Sequence, residues 1–165
     1  NKSSLPKVYG GFNTSLSWKG FDLSAIFAYS IGGYIYNRDI TMILHNGSLE
    51  GRDWSTEILR RWTPENRYTD VPALSTTSNN WNSASTRFLQ NNSYMRLKNL
   101  TLSYNLPKQL ISKLALSSVQ VFVQGDNLFT IHRNQGLDPE QGITGITYYR
   151  YPAMRTISGG INLSF

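Results

Sequence analysis

The chain closes on RTISGGINLSF, residues 155–165. Counted back from Phe165, the residues Leu163, Ile161, Gly159 and Ile157 alternate with Ser164, Asn162, Gly160 and Ser158. One face is apolar and the other is small and polar. A period of two is the signature of a strand whose faces meet different environments. The length matches the roughly 9–11 residues with which a tilted strand crosses a bilayer. A terminal aromatic ring suits the membrane–water boundary. A soluble sandwich also accommodates such a strand, so the fold depends on whether the pattern recurs at bilayer length.

It recurs from the start of the chain. A first strand is predicted over about 8–18, with Val8, Gly10, Phe12, Thr14, Leu16 and Trp18 on one face. Tyr9, Gly11, Asn13, Ser15 and Ser17 take the other face. Lys19-Gly20 reads as a tight turn, with a glycine suited to positive φ. A second strand follows over 21–31, where Phe21, Leu23, Ala25, Phe27, Tyr29 and Ile31 share the apolar face. These arms exceed the five or six residues common in soluble sheets. Trp18 and Phe21 flank the turn, where an aromatic girdle belongs.

The connection from Gly32 to about Asn92 is long, with short helices predicted at Asp39–His45 and Ser55–Trp62 and irregular loop over 76–86. So long a connection is unusual in a compact soluble domain and ordinary on one rim of a barrel. A third strand is predicted over about 93–106. Its second half is clear, with Leu100, Leu102, Tyr104 and Leu106 set against Asn99, Thr101, Ser103 and Asn105. In its first half the same parity puts Arg96 and Lys98 on the apolar face. A bulge that resets the phase and a strand that rises beyond the membrane both account for this. Residues 107–116 form a short connector with helical character. A fourth strand is predicted over about 118–130, with Val119, Val121, Val123 and Gly125 on one face, followed by a Gly-rich loop over 131–152. Short turns follow strands one and three, and long loops follow strands two and four, so the two rims differ.

Composition agrees with such a wall. Of 165 residues, 16% are charged and 13% aromatic, against a usual charged share of about 25%. There is no cysteine, which excludes disulfides and thiol chemistry. Mean hydropathy is −0.36, and no apolar run approaches the roughly 18 residues of a membrane helix. Alternating strands average out on a hydropathy scale, so a membrane barrel remains allowed. No signal peptide opens the sequence: either export information has been removed or this is a piece of a longer protein. The net charge of +6 has no basic run behind it. Its surplus is scattered over Lys2, Lys7, Lys19, Arg96, Lys98, Lys108, Lys113, Arg133, Arg150 and Arg155, whereas residues 32–92 balance six Arg with six acids. Solvated surface or anionic lipid headgroups fit this distribution, and nucleic acid does not.

Several stretches resemble the C-terminal part of SusC/RagA-type TonB-dependent outer-membrane transporters. They are LPKVYGGFNTSLSWKGFDLSAIFAYSIGGYIYN (5–37), RRWTPENRYTDVPAL (60–74), SASTRFLQNNSYMRLKNLTLSYNLPKQL (83–110), VFVQGDNLFTIHRNQGLDPE (121–140) and YPAMRTISGGINLSF (151–165). The resemblance implies an all-β fold: the last five antiparallel strands of a large barrel, about 22 in all, with long extracellular loops. It implies import of glycans or peptides across the cell outer membrane. The partners it implies are the rest of the barrel and its plug, a SusD-type surface lipoprotein, TonB through an N-terminal part, and outer-membrane lipid. It places Phe165 at the periplasmic rim, as the terminal aromatic that assembly machinery reads.

No enzyme is expected and no cofactor. His45 and His132 have no partner at metal-ligand spacing. Asp138-Pro139-Glu140 reads as a loop-shaping element rather than a catalytic or calcium-binding carboxylate pair. Gly32-Gly33 and Gly159-Gly160 lack a strand–loop–helix context for phosphate and read as bends or close packing. The candidate ligand or partner contacts are the loop aromatics Trp81, Tyr148 and Tyr149, whose rings sit among hydrogen-bonding groups. Tyr151 reads as a girdle residue. The polar faces, including Asn13, Ser15, Asp22, Asn99, Thr101, Gln120, Gln124 and Asn162, are expected to line the lumen or touch the plug. Two rival readings stay open on the residues alone: a passive porin-like barrel, and a soluble β-sandwich that binds glycans as an adhesin.

Overall fold

The computed structural model of the chain describes residues 2–45, 47, 49, 51–75, 77, 83–112, 116–134, 136 and 138–165. In chain order its elements are β1 (Val8–Trp18), β2 (Phe21–Ile31), β3 (Tyr34–Asn37) and α1 (Arg38–Ile43). Single 3-10 turns at Thr56–Arg60 and Thr86–Phe88 precede β4 (Leu89–Asn91) and β5 (Tyr94–Asn105). Then come α2 (Lys108–Ile111), β6 (Ser118–His132), β7 (Ile146–Thr147) and β8 (Thr156–Ser164). The five long strands form one antiparallel sheet in the order β1-β2-β5-β6-β8.

Register carries the alternation across the whole sheet. Trp18 faces Phe21, Phe21 faces Tyr104, Tyr104 faces Val121 and Val121 faces Ile161. The next apolar row is Leu16, Leu23, Leu102, Val123 and Gly159. Ring pairs reinforce it: Phe12 stacks on Phe27 at 4.7 Å, and Phe21 leans on Tyr104 at 4.5 Å. The β1–β2 turn is closed by Lys19 and Gly20, with φ of +47° and +89°. Two left-handed residues give the two-residue turn whose twist matches that of the strands.

The polar face is tied together by side chains. Asn105 Nδ2 donates to Asp22 at 2.7 Å, Asn99 Nδ2 to Asp126 at 2.8 Å, and Asn162 Nδ2 to Gln120 at 3.1 Å. The Ser17 hydroxyl also bonds Asp22. Gly160 leaves room there for Phe122, whose ring would lie 2.9 Å from an added Cβ.

The phase conflict in β5 is resolved by a bulge. Between Asn99 and Leu97 the register with β2 slips by one residue, so Lys98 has no partner there. Past that point Leu97 faces Phe27 and Phe129, and Met95 faces Tyr29 and Ile131. Parity had put Arg96 on the apolar face. The extra residue turns it onto the polar one, opposite Ala28 and Thr130. On β6 the matching irregularity includes Asn127, at φ +52°.

The apolar face of the sheet is open, and the polar face is crossed by a loop at the end where Arg96 is buried. On its apolar side Leu16, Leu102 and Ile157 remain largely exposed, Ile157 at 76%. A sandwich packs a second layer against one face at about 10 Å; the described residues put no such layer here. The most deeply buried side chains, Phe88, Ile35, His45, Val71, Asn37, Thr147 and Pro139, all lie outside the five long strands. They belong to loops on one rim, where a second sheet has the order β4-β3-β7. This small sheet is absent from the sequence reading, because its strands are two to four residues long and too short to show a period. In it β3 pairs antiparallel with β4 and parallel with β7. The loop helices also shift from expectation. The first is capped by Asn37, whose side chain accepts from the Ile40 N–H, and spans 38–43 rather than 39–45. The second is a 3-10 turn over 56–60 rather than a helix over 55–62, capped by Ser55, whose side chain accepts from the Glu57 N–H.

Face identity is testable in the protein refolded into lipid vesicles. Leu100→Arg on the apolar face, nearer mid-strand, is expected to cost about 2–4 kcal/mol, and the adjacent Thr101→Arg on the polar face clearly less. A urea titration of each variant reads the difference; equal costs contradict the assignment.

Candidate functional site

The loop rim gathers the aromatic candidates. Tyr148 and Tyr149 follow β7 directly, and their rings pair at 4.2 Å. Because β7 lies beside β3, the pair lands against α1. The Arg38 guanidinium sits 4.8 Å from the Tyr148 ring centre. The Tyr149 N–H donates to Asp39 Oδ1 at 3.0 Å, and its hydroxyl reaches Met42 Sδ at 3.5 Å. Tyr149 takes φ +48°, a left-handed conformation that a bulky residue adopts only when its surroundings hold it there. It keeps 64% of its surface exposed. Clefts flank the pair: one of about 400 Å³ lies between Arg38, Met42 and Tyr148, and one of about 440 Å³ between Asp39, Arg52, Asp53 and Tyr149. The surface thus offers flat rings, two cations and two carboxylates within reach of one ligand or partner.

The other sequence candidates fall elsewhere. Trp81 lies outside the described residues. Tyr151 is fully exposed between β7 and β8. Phe165, at the opposite rim, is 92% exposed, and its carbonyl accepts from the Ser117 hydroxyl at 3.3 Å. His132 Nδ1 lies 2.9 Å from the Asn134 carbonyl, which fixes its proton on that nitrogen. His45 is fully buried, edge-on to Trp54 at 4.8 Å, and accepts weakly from the Leu49 N–H. Burial lowers its pKa below the ordinary 6.5; the Arg52 carbonyl opposes this and the Arg52 charge adds to it. Among the described residues no three His, Asp or Glu side chains converge on a metal-sized space.

Arg96 was not among the candidates, because parity pointed it the wrong way. It is 3% exposed. Its Nε donates to Thr130 Oγ1 at 2.9 Å, and its two terminal nitrogens reach Glu140 at 2.8 Å and Asp138. Lys98 also bonds Glu140. Asp138 accepts further from the N–H groups of Glu140 and Ala153. Burial pushes the Asp138 carboxyl up, but these hydrogen bonds and the Arg96 charge outweigh it and leave the pKa below the usual value. Asp138 and Glu140 therefore shape and anchor their loop. The signal that could have found this is the matched spacing: two cations two apart in β5, and two carboxylates two apart in the loop.

No family model matches the chain. It is 34% identical over 171 residues to TonB-dependent receptor P3 of Formosa agariphila, covering 97% of this chain and 16% of that protein. To TonB-dependent receptor P26 of the same organism it is 31% identical over 173 residues, covering 99% of this chain and 17% of that one. Among solved structures it is similar to the RagAB peptide importer in the "closed-closed" state, with a TM-score of 0.87, 35% identity and coverage of 100% of this chain and 18% of that one. The "open-open" state of that importer gives the same TM-score at 36% identity, covering 99% of this chain and 18% of that one.

The buried His45 sets a pH dependence for the loop body. Its folded pKa is depressed, so the stability it confers is present above 6.5 and is lost as pH falls through the folded value. Lowering pH from about 7 to 5 is expected to increase protease cutting near residues 45–55, and His45→Gln is expected to flatten that dependence. A pH profile of limited proteolysis checks both.

Proposed function

The chain belongs to the TonB-dependent receptors, and on that premise we propose that it is the C-terminal barrel segment of a SusC/RagA-type importer of the outer membrane. The observation that carries this reading is the five-stranded sheet of bilayer length, apolar and uncovered on one face, hydrogen-bonded and polar on the other, where a loop crosses it at the Arg96 end. In the parent protein the apolar face meets outer-membrane lipid and the polar face lines the lumen or touches the plug. The edges at β1 and β8 then continue into the rest of the barrel, because an open edge leaves a row of backbone groups without partners in hydrocarbon. The long-loop rim is extracellular and the short-turn rim periplasmic.

The segment carries out no chemistry and needs no cofactor. Import is driven by TonB through an N-terminal part of the parent, and a SusD-type lipoprotein covers the extracellular side. Peptides stand first among the substrate classes, because the solved relatives are described as a peptide importer; glycans stand second. The Tyr148–Tyr149 pair, with Arg38 beside it, contacts the ligand or the covering lipoprotein. Trp81 has the same proposed role. Phe165, just past β8 at the short-turn rim, is an aromatic recognised during assembly.

Uptake of a panel of labelled oligopeptides and glycans by cells with and without the parent protein tests this. Uptake that depends on the parent and on TonB is expected. Unchanged uptake across the panel overturns the importer, and uptake independent of TonB makes it a passive pore. The two aromatic sites separate by readout. Phe165→Ser is expected to lower the amount assembled in the membrane, whereas Tyr148→Ala with Tyr149→Ala leaves assembly intact and lowers uptake about tenfold, the scale of one lost aromatic anchor.

A further inference from the structure

We propose that Arg96 is a positioning residue: with Lys98 it locks the loop between β6 and β8 onto the polar wall, so that the loop is a fixed mount for the Tyr148–Tyr149 pair and not a moving lid. The importance of that mount for uptake rests on the importer reading; the lock itself does not.

Exposed ion pairs contribute little and would not hold a loop. This cluster is of another kind. The Arg96 and Asp138 side chains are 4% and 7% exposed. Removing two charges from water is unfavourable unless every polar atom finds a partner. Here all three guanidinium nitrogens are engaged, on Thr130, Glu140 and Asp138. Both Asp138 oxygens are engaged as well: Oδ1 accepts from Arg96 and the Glu140 N–H, and Oδ2 from the Ala153 N–H. The last bond joins residues fifteen apart, so the same carboxylate that holds the loop to the wall also draws its two ends together. Losing either partner leaves a buried charge uncompensated, and that makes the lock stiff.

Two further attachments lie along the same loop. Asn92 Nδ2 donates to the Pro139 carbonyl at 2.9 Å, and Asn134 Nδ2 donates to Asn92 Oδ1 at 3.1 Å. Further on, β7 lies on β3, Tyr36 N–H donates to the Gly145 carbonyl at 2.7 Å, and the Ser4 hydroxyl donates to the Ile143 carbonyl at 3.0 Å. A lid has few buried contacts and free hinges. This loop is held near its start, its middle and its end. The bulge at Lys98 serves the same arrangement, since it is what turns Arg96 toward the loop.

The test uses the full-length parent protein in outer membranes. Hydrogen exchange at the Glu140 and Ala153 amides is expected to speed up at least about tenfold in Arg96→Met, and less in Arg96→Lys, which keeps the charge without the fork. Asp138→Asn gives the same increase if Arg96→Met fails to assemble. Spin labels at Lys108→Cys and Ile143→Cys, one on each rim, are expected to report one narrow distance that is unchanged when cells are de-energised with an uncoupler. That distance is expected to broaden in Arg96→Met while the heat-modifiable mobility of the barrel stays normal, a combination that general destabilisation does not produce. Unchanged exchange in Arg96→Met and Asp138→Asn overturns the lock. Two distance populations whose ratio shifts with energisation overturn the fixed mount. If lock and distance behave as expected but uptake never depends on the parent, the importer reading fails and the lock stands.

Discussion

A strand in hydrocarbon must pass every backbone N–H and C=O to a neighbour, because no water is there to take them. That requirement organises this chain. Neighbouring long strands pair almost end to end, broken at the Lys98 bulge and past Asp126 of β6, beyond which β6 pairs with β5 and not with β8. Once the ladder is fixed, the side chains have two faces and no third choice. Phe12 on Phe27 and Phe21 on Tyr104 build the apolar side. Asp22, Asp126 and Gln120 collect hydrogen bonds on the polar side.

The wall has no core of its own, so ordinary hydrophobic packing moves to one end. Ile35, Phe88 and Val71 are buried among loops, where water is excluded by chain crossing over chain. This inverts the usual division in which loops cover a core made by regular elements. It also gives the long-loop rim the rigidity to hold Tyr149 in a strained conformation with its ring exposed. Wall and loop body meet at Arg96, whose guanidinium crosses from a strand to a loop more than forty residues further along.

Much of this was legible in the sequence. Period two over eleven residues, a Lys-Gly turn and alternating connection lengths are local signals, and each maps onto one strand or one turn. They gave five strands and two unlike rims. The resemblance of the quoted segments to one transporter family then agreed with the relatives found by comparison. What the residues hid was non-local. The bulge at Lys98 is set by how three strands register, so strict parity left Arg96 facing the wrong way. The small sheet of β3, β4 and β7 joins pieces from three connections, each too short to carry a period. The tie from Asp138 to Ala153 depends on how one loop folds back on itself. The aromatic pair was visible as a composition; its partners Arg38 and Asp39 were not, because they lie more than a hundred residues away in sequence.

The central claim is that this sheet is a membrane wall whose faces exchange parity at one bulge. Accessibility scanning of spin labels at every position from 94 to 105, in the protein assembled in its membrane, tests it most directly. Oxygen in the lipid is expected to reach labels at Met95, Leu97, Leu100, Leu102 and Tyr104. A water-soluble relaxation agent is expected to reach labels at Thr101, Ser103 and Asn105. The period of two should thus jump phase once, at Lys98. An unbroken period through the strand contradicts the bulge, and a strand with no lipid-accessible face contradicts the membrane wall itself.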